Sequence, residues 1–333
     1  MVARIFGRHP TLSVEGHLPT FEGATGWLNS TPLTPEGLRG KVVAVDFCTY
    51  TCINWLRTLP YVRAWADKYA GHGLVTIGVH TPEFSVEHDI ENVRRALASM
   101  RVTYPIALDN DYGVWNAFAN HYWPALYLAD AEGRIRHHWF GEGDYEGSEM
   151  VIQMLLAEAG HEGFERRLVD VEGEGPEAPA DWDHLRSGET YLGYRQATNF
   201  GSPGRAEIDR SATYRLPDDL RLNEWALAGN WTVSGEAATS DAPGARIAFR
   251  FHARDVHLVM APAARANARS FRVALDGDKP GESAGTDIEP DGTGQFDFPR
   301  MYQLIRQRGP VEDRLFEIEF DEPGAEALCF TFG

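Results

Sequence analysis

The segment at residues 45–55 reads VDFCTYTCINW, and it joins two kinds of hydrophobic pattern. Residues 42–47 form a short, apolar, β-branched run that contains one acid, Asp46, and this pattern predicts a buried strand. From Ile53 onward, apolar residues recur at helical spacing, which predicts an amphipathic helix to about Tyr69. Cys52 is therefore expected where a strand ends and a helix begins.

That position favours the reactive form of cysteine. The unpaired N–H groups and the dipole at a helix N-terminus stabilise a negative charge, so they favour the thiolate over the thiol. The thiolate is the nucleophilic form of the side chain. We therefore interpret Cys52 as a nucleophile, and a buried structural thiol is the alternative.

The same segment resembles the active-site strand and helix of the thioredoxin superfamily, whose pattern is Val-Asp-Phe-Trp-x-x-x-Cys-x-x-Cys. In this resemblance Asp46 matches the buried acid and Cys52 matches the attacking cysteine. Trp55 stands at the position of the resolving cysteine, and Cys48 replaces the tryptophan four residues before the nucleophile. The motif is therefore CxxxC, not CxxC. Cys48 can act as the resolving thiol only if the loop folds back tightly enough for a disulfide.

A second segment, HYWPALYL at residues 121–128, places Pro124 directly before an apolar strand. Proline enters a strand only at its start or at an edge. The segment looks like the cis-proline loop of thioredoxins, which faces the nucleophile, and an X–Pro peptide reaches the cis form at low cost. The resemblance implies substrate contacts by Trp123 and Pro124, and we assign Trp55 and Glu83 to the same role.

The sequence beyond these two segments is similar to the DipZ/TlpA-like, AhpC/TSA-related redoxin subgroup. The stretches that carry it are GATGWLN at residues 23–29, LRTLPY at 56–61 and GVHTPEF at 78–84. The resemblance implies an α/β thioredoxin-like domain, with a central mixed sheet and helices on both faces. It also implies a following β-sandwich or jelly-roll module of the galactose- or carbohydrate-binding kind.

The composition of the chain supports two domains with a linker between them. A length of 333 residues suits two cores of ordinary size. Residues 142–181 hold twelve Asp or Glu and two Arg, and such acidic, Gly- and Pro-containing tracts are typical of solvated linkers. After residue 187, short alternating runs separated by turn residues predict antiparallel strands. We assign residues 1–160 to the thioredoxin-like redoxin domain, 161–187 to the linker and 188–333 to the β domain.

Charge and cysteine usage limit the partners and the compartment. A net charge of −18 argues against nucleic acid and against an anionic membrane surface. Residues 1–10 lack the apolar stretch of an export signal, and three cysteines are too few for a disulfide scaffold. Both features predict a cytoplasmic protein. Cys329 is expected in the core of the β domain, and the oligomeric state is not predicted.

The preferred function is thiol-disulfide exchange. The Cys52 thiolate attacks a disulfide or similar sulfur electrophile, and Cys48 or an external thiol resolves the mixed disulfide. Asp46, an acid in an apolar strand, is expected to have a raised pKa and to accept and return the proton. The expected partner is a protein or small-molecule thiol or disulfide, and no cofactor is expected.

Three other functions stay open at this stage. Thr49 precedes Cys52 by three residues, as in the Thr-x-x-Cys of peroxiredoxins, which would suit a thiol peroxidase. Cys48, Cys52 and His80 could instead bind Cu(I), because thiolates suit soft metals and the Cys spacing resembles the Sco-type copper chaperones. Finally, the chain could be a non-catalytic binding protein in which the β domain is the working part.

Overall fold

The computed structural model describes residues 12–263 and 268–333. The N-terminal segment 1–10, on which the cytoplasmic prediction rests, lies outside the described residues. The contacts divide the chain into two compact units. The first unit reaches to Pro82 and continues from Ala98 to Glu172, and the second combines Glu83–Leu97 with Gly173–Gly333.

A mixed sheet of seven strands forms the centre of the first unit. In chain order its strands are β1 (Gly16–His17), β2 (Gly26–Leu28), β3 (Val42–Cys48), β4 (Leu74–His80), β5 (Ile106–Leu108), β6 (Ala125–Ala129) and β7 (Arg134–Phe140). Their order across the sheet is β1-β7-β6-β3-β4-β5-β2. The pairs β3–β4 and β4–β5 are parallel, whereas β3–β6 and β6–β7 are antiparallel. The predicted mixed sheet is confirmed.

The α-helices among the described residues are α1 (Ile53–Tyr69), α2 (Ile90–Ser99), α3 (Gly113–Ala117) and α4 (Tyr145–Glu158). Short 3₁₀ turns lie at Ala70–His72, Ser85–His88, Gly175–Glu177 and Gly281–Ser283. Within the described part of the chain, no helix combines the length and the apolar character needed to cross a bilayer.

Two helix predictions differ from the structure. Apolar residues at helical spacing predict one helix over residues 86–100. The structure interrupts it, because Asp89 is extended and the Glu87 carboxylate accepts hydrogen bonds from the N–H groups of Glu83 and Phe84. The sequence also predicts a closing helix over residues 149–159, and the observed helix starts four residues earlier, at Tyr145. Side-chain hydrogen bonds to the backbone stabilise turns against a continuous helix, and the apolar spacing does not report them.

Strand β3 presents different residues to the two faces of the sheet. Val43, Val45 and Phe47 belong to one apolar core, and the rings of Trp115 and Phe118 pack against Phe47. Because side chains alternate along a strand, Asp46 and Cys48 point to the opposite face. Helix α1 covers that face, where its Trp55 contacts Asp46. Both faces of the sheet are therefore covered, and the buried acid and Cys48 lie beneath α1.

An antiparallel arrangement of eleven strands forms the second unit. These strands are β8 (Thr190–Tyr191), β9 (Ser211–Tyr214), β10 (Trp225–Val233), β11 (Ala238–Ser240), β12 (Ala245–Phe251), β13 (Asp255–Pro262), β14 (Arg269–Leu275), β15 (Thr293–Phe296), β16 (Arg300–Arg306), β17 (Arg314–Phe320) and β18 (Ala325–Phe332). Cys329 is buried in β18.

Strand β10 connects the two sheets of this unit. Residues 225–228 pair with β12, whereas residues 229–233 pair with β9 and β11. Gly229 lies at the change of partner with φ +86°, and a β-carbon there would lie 3.2 Å from the Cα of Ala245. A residue with a side chain would be strained at this bend. The predicted β-sandwich is confirmed, whereas the jelly-roll connection and sugar binding stay predictions.

Candidate active site around Cys52

Cys52 caps the N-terminus of α1. It has the extended backbone of an N-cap residue, and its carbonyl accepts the hydrogen bond of the Leu56 N–H at 3.0 Å. Its side chain is partly exposed, whereas Cys48 and Cys329 are buried. Of the three cysteines, Cys52 therefore combines access from solvent with a helix N-terminus that stabilises negative charge.

A tight turn connects Cys48 to Cys52. The N–H of Cys52 donates to the carbonyl of Thr49 at 3.2 Å, which is the hydrogen bond of a β-turn. Such a turn holds its first and fourth Cα atoms within about 7 Å of each other. Cys48 immediately precedes this turn, as the last residue of β3. The chain thus reverses direction between Cys48 and Cys52.

Asp46 is fully buried and accepts a hydrogen bond from the indole N–H of Trp55 at 2.8 Å. Burial raises the pKa of Asp46 to about 7, and the bond from Trp55 opposes this rise. The carboxyl can therefore change protonation state near neutral pH. The assignment of Trp55 to the substrate-binding surface is corrected, because its side chain is fully buried and its N–H is used by Asp46.

His80 lies beside Cys48, one strand away. The two residues are register partners at the ends of β3 and β4. His80 is fully buried as the last residue of β4, and its ring stacks on Tyr50 at 5.6 Å. Among the described residues, no cluster of three or more His, Cys, Asp or Glu side chains has the arrangement of a metal site.

The Trp123–Pro124 peptide bond is cis, and this loop reaches the nucleophile. The carbonyl oxygen of Trp123 lies 4.0 Å from Cys52 Sγ. The indole N–H of Trp123 donates to the carbonyl of Thr81 at 3.1 Å, and its ring packs on Trp115 at 4.3 Å. The structure therefore brings Trp123 and Cys52 together, and the end of β4 and helix α3 hold the loop in place.

Asp109 is a positioning residue that the sequence reasoning missed. Its buried carboxylate accepts hydrogen bonds from the N–H groups of Val114 and Trp115, both at 2.8 Å, and from the Thr81 hydroxyl at 3.1 Å. It thereby joins the N-terminus of α3 to the segment that binds Trp123. The available signal was an acid directly after the apolar run Ile106–Leu108 and shortly before a helix.

Thr49 and Glu83 are the remaining two residues that the sequence analysis assigned to the site. Thr49 is buried, and its hydroxyl has no hydrogen-bond partner among the residues that the structure describes. Glu83 belongs to the second unit, where it accepts a hydrogen bond from the Tyr191 hydroxyl, and the same hydroxyl lies 3.0 Å from Glu189. Burial raises the pKa of Glu83 to about 8, and the negative charges of Glu189 and Glu87 add to this rise although the Tyr191 bond opposes it.

Comparisons with known proteins find relatives for both parts of the chain. A family model described as the thioredoxin-like C-terminal domain matches residues 187–333. Protein DipZ of Mycobacterium tuberculosis is 40% identical over 252 residues, which are 74% of this chain and 35% of DipZ. The chain thus spans about a third of the length of that relative.

A second relative is covered almost completely. Thiol-disulfide oxidoreductase YkuV of Bacillus subtilis is 31% identical over 142 residues, which are 42% of this chain and 95% of YkuV. The solution structure of a thioredoxin-like protein in the oxidized form is 30% identical with a TM-score of 0.40, and the match covers 43% of this chain and 96% of that protein. Because YkuV is matched over nearly its whole length, the chain belongs to the redoxin subgroup of the thioredoxin superfamily.

Proposed function

We propose that the first unit is a thiol-disulfide oxidoreductase with Cys52 as its nucleophile and Cys48 as its resolving thiol. One observation carries the proposal: a partly exposed cysteine at the N-terminus of α1 lies 4.0 Å from the carbonyl of Trp123. The activity named for YkuV supports the same chemistry. The substrate class is a thiol or disulfide, and the exchange needs no cofactor.

The first step forms a mixed disulfide. The Cys52 thiolate attacks one sulfur of the substrate disulfide, the S–S bond of the substrate breaks, and the departing thiolate takes a proton from solvent. The backbone of Trp123 and Pro124 lies beside the attacking sulfur, where it can align the incoming chain. The helix N-terminus stabilises the Cys52 thiolate before the attack.

The second step releases the substrate. The thiol of Cys48 gives its proton to Asp46, and the resulting thiolate attacks the Cys52 sulfur of the mixed disulfide. The bond to the substrate breaks, the substrate leaves as a thiolate that takes a proton from solvent, and a Cys48–Cys52 disulfide remains. An external dithiol then restores both protein thiols. Asp46 suits the proton transfer because it shares a strand face with Cys48 and because burial raises its pKa to about 7.

Single-cysteine variants test the two roles. With an aromatic disulfide as substrate and a dithiol as reductant, Cys52→Ser should abolish turnover. Cys48→Ser should stop after one half-reaction and accumulate a mixed disulfide on Cys52, which intact-mass analysis detects. Cys329→Ser is the matched control and should react like the wild type, because Cys329 is buried in the second unit. Undiminished turnover of Cys52→Ser would refute the proposal.

The remaining assignments stay proposals. We place the redoxin domain at residues 1–160, the acidic linker at 161–187 and the β domain at 188–333. The contacts assign Glu83–Leu97 to the same unit as the β domain. A cytoplasmic location is likewise part of the proposal, and the small number of cysteines, three in 333 residues, supports it.

A further inference from the structure

Three buried polar atoms beneath α1 have no hydrogen-bond partner among the described residues. They are the Oδ1 of Asp46, the hydroxyl of Thr76 and the hydroxyl of Tyr104. Buried polar groups in proteins are nearly always satisfied by protein or by ordered water. The other carboxylate oxygen of Asp46 is already bound by Trp55. The open oxygen therefore marks the side on which Asp46 can exchange a proton.

Gly78 brings Tyr104 close to Cys48. It is the register partner of Asp46 on the neighbouring strand β4. A β-carbon at Gly78 would lie 3.3 Å from the Tyr104 ring and 3.8 Å from Cys48 Sγ, with the Ile106 side chain filling the rest of the space. The phenol ring and the thiol are therefore neighbours across this glycine.

A cavity of about 380 Å³ adjoins the same residues. Thr76 and Tyr104 line it, together with residues at the C-terminal end of α1 and before β5. Asp67, Ala70 and Thr103, which also line it, are exposed, so the cavity reaches solvent. Tyr104 thus lies between a solvent-accessible cavity and the buried acid. Burial raises the pKa of the Tyr104 hydroxyl, and the negative charges of Asp46 and Cys48 raise it further. The hydroxyl therefore stays protonated and can donate a hydrogen bond.

We propose that Tyr104 is a positioning residue that connects Asp46 to this cavity and lets its proton exchange with solvent. The inference rests on the proposed function. In the resolving step one proton passes from the Cys48 thiol to the Asp46 carboxylate, and the departing substrate thiolate takes one proton from solvent. Asp46 must then return its proton before the next cycle. The route runs through the hydroxyls of Tyr104 and Thr76 and through water in the cavity.

Tyr104→Phe tests the connection, because it keeps the ring and removes the hydroxyl. In the reduced full-length protein, the Asp46 carboxyl is titrated by ¹³C NMR. Removing the hydroxyl takes a polar group out of the water-filled route to the carboxylate and makes the surroundings of its charged form less polar, so the Asp46 midpoint should rise by up to about one pKa unit. The pH profile of Cys48–Cys52 disulfide formation should move in the same direction. Thr76→Val is a second variant that should give a shift of the same sign.

Tyr127→Phe is the matched control. Tyr127 is a buried tyrosine of the same unit, but its hydroxyl pairs with Asn120 at 3.3 Å and its ring packs on Phe47. A shifted Asp46 midpoint in Tyr104→Phe or Thr76→Val, with none in Tyr127→Phe, supports the inference. Equal midpoints in all four proteins overturn it. Turnover of the wild type is measured separately, so an active wild type with equal midpoints refutes the role of Tyr104 and leaves the proposed function standing.

Discussion

Among the residues of the site, Asp46 has the clearest energetic cost of burial. Its carboxyl is fully buried with an indole N–H as partner, and burial raises its pKa from 3.8 to about 7. Between these two values the folded protein binds a proton that the unfolded chain does not hold. The free energy of unfolding must therefore decrease as the pH rises through this range.

The first prediction follows for Asp46→Asn, which keeps the shape and an acceptor for Trp55. The variant should be more stable than the wild type by about 2–4 kcal/mol above pH 7, and the difference should disappear below about pH 4. Denaturant unfolding at several pH values measures it. Asp130→Asn should behave oppositely, because hydrogen bonds from Arg134 and Arg136 outweigh burial and lower the pKa of Asp130. A loss of stability in Asp46→Asn at pH 8 would contradict the account.

A second prediction concerns the relative reactivity of the cysteines. Cys52 is partly exposed at a helix N-terminus, whereas Cys48 and Cys329 are 0% and 1% exposed. In the reduced native protein, iodoacetamide should therefore modify Cys52 first, and peptide mapping identifies the modified residue. Faster modification of Cys329 would show that the nucleophile has been assigned to the wrong residue.

At the scale of single elements, the sequence predicted best where apolar periodicity alone decides. Helix α1 (Ile53–Tyr69) has the predicted bounds, and strand β6 (Ala125–Ala129) begins directly after Pro124 as predicted. Periodicity did not report contacts between distant segments. The substrate-binding role assigned to Trp55 needs an exposed side chain, whereas Trp55 is buried and donates a hydrogen bond to Asp46. His80 is buried as the register partner of Cys48.

The candidate site shows the same difference between local sequence patterns and contacts of distant segments. The residue types at Cys52, Cys48 and Asp46 are readable from one segment, because strand and helix are adjacent in sequence. Asp109 and Tyr104 come from the segment around β5, and only the parallel pairing of β4 with β5 brings them near the site. Their contribution depends on tertiary hydrogen bonds and packing, which a single sequence does not display.

Helix α3 gives a third prediction, because its first residue touches another backbone segment. A β-carbon at Gly113 would lie 2.8 Å from the Cα of Gly23 and 2.9 Å from its carbonyl oxygen. Gly113→Ala should therefore destabilise the protein by about 1–3 kcal/mol, although alanine usually favours a helix. Thermal unfolding measures the effect.

Gly71→Ala is the control for this prediction. Gly71 also lies in a helical turn, but a β-carbon there would meet nothing within 4 Å. Its substitution should leave the melting temperature nearly unchanged. Equal melting temperatures for Gly113→Ala and the wild type would show that the approach of the two glycine segments is not a packing constraint.

At the scale of the whole molecule, the β unit has a core of its own. Its buried cluster includes Trp225, Trp231 and Phe249, and all of its members lie between Leu192 and Phe332. No residue of Glu83–Leu97 belongs to this cluster, although the contacts assign that segment to the same unit. The core therefore does not depend on residues of the redoxin sequence.

The fourth prediction is that residues 173–333 fold when expressed alone. The fragment should give a far-UV spectrum of the β type and one cooperative thermal transition, because a single core includes both sheets. It should show no thiol-exchange activity, since Cys52 and Cys48 are absent. A fragment without a cooperative transition would mean that Glu83–Leu97 is needed to complete the unit.

We propose that Cys48 and Cys52 form the redox pair of this redoxin. Mild oxidation of the full-length protein, followed by alkylation, intact mass and disulfide mapping, identifies the cysteines that pair. Of the three cysteines in the sequence, we expect one alkylated thiol, at Cys329, and a Cys48–Cys52 disulfide with the loss of two hydrogen atoms. Three alkylated cysteines after oxidation, or a disulfide that includes Cys329, would contradict the account.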